Sequence, residues 1–145
     1  MPNQDLIQSL HELLANCYML SLKTQNYHWN VTGANFVSLH ELFEQQYNEL
    51  AQANDIVAER IRALGVHVKA GVKYFNTLSV ISDGCEALSA PKMLADLLHD
   101  HGVIIDLLNK AIALCDNDQA TADMLVARVF EHEKTQWMLS SILEL

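Results

Sequence analysis

His40, Glu44, Asp55 and Glu59 lie in one stretch of chain whose apolar residues follow a helical period. At about 100° per residue, their angles relative to His40 are about 0°, 40°, 60° and 100°. All four share one face of a helix. A face carrying one imidazole and three carboxylates is a metal-ligand set, because nitrogen and oxygen donors together suit divalent first-row metals. A solvated polar stripe is the competing reading, and on these four residues alone it weighs equally.

Distance decides more. His40 and Asp55 are 15 residues apart, roughly 22 Å along a helix rising about 1.5 Å per residue. Metal–ligand bonds are about 2 Å, so one helix cannot close a site from both ends. Two copies, packed antiparallel across a two-fold axis, can. With the axis between Asn48 and Glu49, His40 faces position 57 of the other copy, between its Asp55 and Glu59. An isologous two-fold contact is the commonest oligomeric interface. It would make two equivalent sites, each taking histidine from one subunit and carboxylates from the other.

A second histidine joins through a turn. The stretch 27–44 reads YHWNVTGANFVSLHELFE, and Thr32-Gly33-Ala34-Asn35 carries turn chemistry. If the flanking helices fold back antiparallel, residues equally far from the turn become neighbours. His28 and His40 each lie six residues from position 34. A lone histidine on an apolar face is most simply a packed one. Two placed symmetrically about a turn, with carboxylates across a dyad, favour ligation.

These residues need long helices to position them. Leu6, Leu10, Leu13, Cys17, Leu20 and Thr24 alternate at spacings of four and three, and His28 is next in the series. A helix is expected from near Asn3 to near Asn30. A second is expected from near Asn35, carrying Leu39, Leu42, Phe43, Tyr47, Leu50, Ala53, Ile56, Val57, Ile61 and Leu64, and stopping at Gly65. Residues 66–88 form a connection too long for a simple turn, with a short helix expected from Tyr74 to Ser82. Ser89 reads as an N-cap with Pro91 in the first turn of a third helix reaching about Cys115. Asp116-Asn117-Asp118 breaks the chain before a fourth helix from Gln119 to Leu143, with Trp137 and Met138 expected on its apolar face. The expected fold class is all-α: a ferritin-like four-helix bundle with a long crossover between helices 2 and 3 carrying a short extra helix. Residues 1–145 read as one domain.

Composition narrows the function. The formal charge is −9, with nine Lys and Arg, none before Lys23. Such a surface repels phosphate backbones and attracts cations. No apolar run approaches the roughly 18–20 residues of a membrane helix, and MPNQDLIQSLHELL lacks the basic start of a signal peptide. Cytoplasmic residence is the default expectation. Cys17, Cys85 and Cys115 are too few and scattered for a disulfide framework and are expected to be buried free thiols.

The chain resembles the Dps family, the mini-ferritins named as DNA-binding proteins from starved cells. The likeness rests on YHWNVTG at 27–33, F-x-x-LH-x-x-FE at 36–44 and D-x-x-AERIRALG at 55–65. It continues through TADML at 121–125 and the region from Lys134 to Trp137. The resemblance implies a ferroxidase: Fe(II) bound between subunits by His28, His40, Asp55 and Glu59 and oxidised mainly by hydrogen peroxide. It also implies ferric mineral stored in a hollow dodecamer, with protection against oxidative damage. By the same resemblance, Glu44 or Glu41 would help iron enter or nucleate mineral, with a solvated helix carboxylate an equal reading for Glu44 and the favoured one for Glu41. Asp118 and Asp123 would line an acidic three-fold pore, although capping and dipole compensation are an alternative for Asp116, Asp118 and Asp123. Trp29 is read as a packing residue shielding the site. His99, His101 and His132 show no partner pattern and are expected at the surface or in packing.

DNA-binding members often carry a lysine-rich N-terminal arm, whereas the segment before the first helix is MPNQ and SSILEL at the C-terminus is not basic. Direct DNA binding is therefore not expected. A nucleoid-binding stress protein is the alternative function. A structural assembly whose site holds zinc or no metal is a third.

Overall fold

The computed structural model describes residues 3–145. Met1 and Pro2 of the leading segment lie outside the described residues. Five helices are present and no strand among the described residues: α1 Gln4–Asn30, α2 Phe36–Ala63, α3 Val72–Leu78, α4 Ala90–Ala113 and α5 Gln119–Ile142. The four long ones form the expected all-α, ferritin-like bundle, and α3 sits in the crossover. α1 packs along α2 and α4, α5 lies against α4, and α2 and α5 touch only sparingly.

The helix ends follow from local chemistry. The Asn3 side chain accepts from the Leu6 N–H at 3.1 Å and starts α1. Gly33, at φ 111°, makes the left-handed step that reverses the chain between α1 and α2. Gly65, at φ 89°, follows α2. Its N–H reaches Arg62 O and that of Val66 reaches Ile61 O, the two bonds of a Schellman stop. Ser89 holds the N-cap position of α4 with Pro91 just inside, but its hydroxyl makes no capping bond. Asp118 caps α5, accepting from the Thr121 N–H at 3.0 Å.

The whole 4/3 series of α1, from Leu6 to His28, is buried. The crossover is held to α1 by polar side chains. His11 Nδ1 donates to Ile7 O, so its Nε2 accepts from the Lys69 N–H at 3.1 Å. Asn16 Oδ1 accepts from the Val80 N–H at 2.8 Å and from the Ser79 hydroxyl. That pull, with Ser79 extended at ψ 136°, ends α3 at Leu78, so the short helix runs Val72–Leu78 rather than Tyr74–Ser82. Buried Lys23 clasps Asp96 and Asp100 at 3.1 and 2.7 Å, and the Tyr27 hydroxyl donates to Asp96. Together they fasten the last turns of α1 to α4.

Three further expectations change. Trp137 is 64% exposed; the buried face of α5 is Thr121, Leu125, Arg128, His132 and Leu139, with Met138 only half-buried. Three of these five positions hold polar groups, which blurs the apolar period. Trp29 is 61% exposed and packs little within the chain, because it points away from the face that carries His28 inward. Cys17 and Cys115 are buried free thiols, but Cys85 is exposed, lying in the crossover rather than in a helix.

Candidate metal centre

The α1–α2 turn places His28 and His40 face to face, as their symmetric spacing predicts. Their rings stack at 3.8 Å between centroids, 14° from parallel. Phe36 stacks on the outer side of His40 at 5.1 Å, and Tyr47 meets His28 edge-on at 5.3 Å. The apolar surroundings of the two histidines are thus an aromatic clamp on their orientation. Tyr47 was read only as a core residue in the helical series. Its position seven residues beyond His40, two turns along the same helix, is the signal that could have identified it.

Hydrogen bonding fixes the tautomers. His28 Nδ1 lies 2.6 Å from His40 O, and His40 Nδ1 lies 2.7 Å from His28 O. A carbonyl oxygen only accepts, so each Nδ1 carries the hydrogen and each Nε2 keeps its lone pair. Neither Nε2 has a hydrogen-bond partner among the described residues. A backbone carbonyl on one ring nitrogen is the outer-shell arrangement that presents the other to a metal.

The carboxylates lie elsewhere. Glu44, Asp55 and Glu59 are exposed on the open side of α2, with Val37, Glu41, Asn48, Ala51, Gln52 and Ile56. The opposite side, Leu39, Phe43, Gln46, Leu50, Ala53, Val57 and Ile61, is buried. Among the described residues, no group of three or more His, Cys, Asp or Glu side chains is placed to hold a metal ion. The structure therefore brings His28 and His40 together and leaves Asp55 and Glu59 apart from them, some four helical turns along α2.

The remaining acids differ. Asp118 is committed: it caps α5, takes a hydrogen bond from the Thr121 hydroxyl and pairs with Arg60 at 3.1 Å. The Thr121 hydrogen bonds come first among the causes that hold its carboxyl below the usual range. Asp123 is exposed and accepts from the Gln119 amide at 2.6 Å. Buried His101 and His132 contact each other at 2.8 Å, a pairing that sequence reasoning missed. Both fall on the 4/3 buried series of their helices, with Leu97, Ile104 and Leu108 on α4 and Leu125 and Leu139 on α5. That register was the available signal.

A bundle of this topology with imidazole and carboxylate donors on α1 and α2 defines a ferritin-like protein, and the ferritin-like domain model matches residues 7–145. More narrowly, the chain belongs to the Dps family. It is 34% identical over 143 residues to DNA protection during starvation protein 2 of Bacillus anthracis, covering 97% of this chain and 98% of that protein. The fold of Dps from Staphylococcus aureus matches with a TM-score of 0.94 at 34% identity, over 100% of this chain and 99% of that one. A Dps protein of Vibrio cholerae O1, described as a member of a broad superfamily of ferritin-like diiron-carboxylate proteins, matches with a TM-score of 0.93. Its identity is 26%, over 97% of this chain and 90% of that one. Among the described residues no helix is long and apolar enough to cross a membrane.

Proposed function

We propose that this protein is a mini-ferritin ferroxidase. Fe(II) is its substrate, bound where His28 and His40 of one subunit meet Asp55 and Glu59 of a dyad-related subunit. Hydrogen peroxide is the main oxidant, and ferric mineral is stored inside a closed dodecamer. Family membership supports the iron-storage role. The observation that carries the site is the reciprocal bonding of the two histidines, which leaves both Nε2 lone pairs available and aimed by the aromatic clamp.

The open face of α2 supports the dyad. It exposes both carboxylates on a surface that also bears Val37 and Ile56, at 63% and 51% exposure. Ala51 and Asn48 lie near its middle, where short side chains allow a second helix to approach. Imidazole and carboxylate together suit Fe(II), and the harder ferric product favours oxygen donors. Peroxide accepts one electron from each of two Fe(II) ions, so its O–O bond breaks without releasing a hydroxyl radical. Glu44, exposed one turn past His40, is an entry ligand in this reading. Asp123 serves an acidic pore better than Asp118, whose carboxylate is engaged.

The relatives' naming for DNA protection favours DNA association as a second reading, and the charge of −9 opposes it. Anaerobic Fe(II) loading followed by peroxide separates the two. Ferric absorbance should rise within the mixing time while the particle keeps its size. No acceleration over protein-free Fe(II) would defeat the ferroxidase reading.

A further inference from the structure

A second polar cluster lies inside the bundle, apart from the ligand face. Buried His101 of α4 and His132 of α5 meet Nδ1 to Nδ1 at 2.8 Å. Arg128, one turn before His132, lies with Nη2 3.3 Å from His132 Nε2 and is ion-paired to Glu49 of α2. A guanidinium donates and never accepts, so His132 Nε2 holds a lone pair and its hydrogen sits on Nδ1. That hydrogen is donated to His101 Nδ1. The hydrogen of His101 must then sit on Nε2.

This last N–H has no partner among the described residues, although His101 is 2% exposed. Both side-chain polar atoms of Gln46, 8% exposed, are also without partners. Both residues line one cavity of about 130 Å³ between α2, α4 and α5, with Arg128 and His132 in the same wall. Buried polar atoms are almost always satisfied, by protein or by ordered water. Three such atoms on one cavity point to an occupant.

We propose that this cavity binds a small neutral hydroxylic molecule: water, with hydrogen peroxide able to exchange for it. The occupant accepts from His101 Nε2 and from the Gln46 amide, and donates to Gln46 Oε1. The charged residues lining the cavity, Arg128, Lys134, Glu49 and Glu131, are two of each sign, so the walls call for no net charge on the occupant. Burial drives His101 down to about 3 and His132 well below its ordinary value, so both rings are neutral and the direction of the chain holds. A water's share of liquid volume is about 30 Å³, so there is room for either molecule. Burial pushes the Cys17 thiol, which feels both Arg128 and Glu49, up to about 12. It stays protonated and unreactive toward a bound peroxide. The site stands whether or not iron is oxidised at the subunit surface.

Neutron diffraction from deuterated, iron-free crystals of the whole assembly near neutral pH tests it. Deuterium is expected on His132 Nδ1 and His101 Nε2, with an oxygen peak in hydrogen-bond reach of both His101 and Gln46. After a peroxide soak, a two-oxygen peak is expected, and a persisting single-oxygen peak would overturn the exchange of peroxide for water. An empty cavity, or deuterium on Nδ1 of His101, overturns it. Gln46→Leu should lose the peak while His132 keeps its tautomer. An unmoved peak in that variant would overturn the assigned partnership with Gln46.

Discussion

The molecule holds two histidine pairs, and they use their nitrogens in opposite ways. His28 and His40 each give Nδ1–H to a backbone carbonyl and keep Nε2 open. His101 and His132 bond to each other, and His132 takes its remaining bond from a guanidinium. The first pair has open Nε2 lone pairs and an aromatic clamp. The second has Arg128 where a metal would need free electron pairs. Histidines in a ferritin-like bundle are therefore not interchangeable evidence of metal. What separates the pairs is the partner of the other ring nitrogen.

The largest effect should come from removing the open pair or the carboxylates assigned to it. His28→Ala/His40→Ala and Asp55→Ala/Glu59→Ala should each slow peroxide-driven Fe(II) oxidation by more than about 100-fold, since loss of an outer-shell partner alone costs about 10–100-fold. Stopped-flow ferric absorbance measures it. A double variant within tenfold of wild type would remove the distinction between the pairs.

The buried pair should show itself in stability. Glu49→Ala leaves Arg128 unpaired beside His132. The expected loss is about 1–3 kcal/mol, below the roughly 3–5 kcal/mol of a fully buried pair, because Glu49 is partly exposed. The urea midpoint at fixed protein concentration is the measurement. An unchanged midpoint would mean the ion pair contributes nothing.

Acid sharpens the contrast further. His101 and His132 have folded values depressed by burial, His101 to about 3, against an unfolded value near 6.5. Their contribution is fully present above pH 6.5 and is lost as pH falls toward the folded values. The slope approaches about 1.4 kcal/mol per pH unit per histidine. His101→Gln/His132→Gln should flatten the decline in stability between about pH 6 and pH 4. Equal slopes in variant and wild type would contradict the buried-neutral assignment.

The smallest expected effect is on DNA. With a charge of −9 the apo-protein should leave a duplex unshifted at neutral pH and physiological salt. A mobility shift that weakens steeply with salt would reveal a basic surface and favour the alternative function.

The same contrast explains what was legible in the sequence. The α1 series from Leu6 to His28 and the glycine stops at Gly33 and Gly65 depend on local periodicity and φ, so they read correctly. The His28–His40 juxtaposition was legible because it spans one tight turn. The His101–His132 pair joins two helices at a separation of 31 residues, and its sign was polar groups on a buried register, which hydrophobic counting discards. Trp137 misled for the converse reason: an aromatic on an amphipathic helix is counted inward, yet here it faces out. Of the two readings of Asp118, the capping one was local and is seen, whereas its ion pair with Arg60, 58 residues away, left no mark in the sequence.

The central claim, a site shared across a dyad, is tested most directly by mixing the two inactive double variants. A dimer of one His28→Ala/His40→Ala chain and one Asp55→Ala/Glu59→Ala chain has one site without ligands and one site intact. Co-assembly at equal amounts should restore about one quarter of wild-type oxidation if two-fold pairing is random. Recovery near zero in verified mixed dimers would contradict the shared site, because a site held within one chain stays damaged in every subunit.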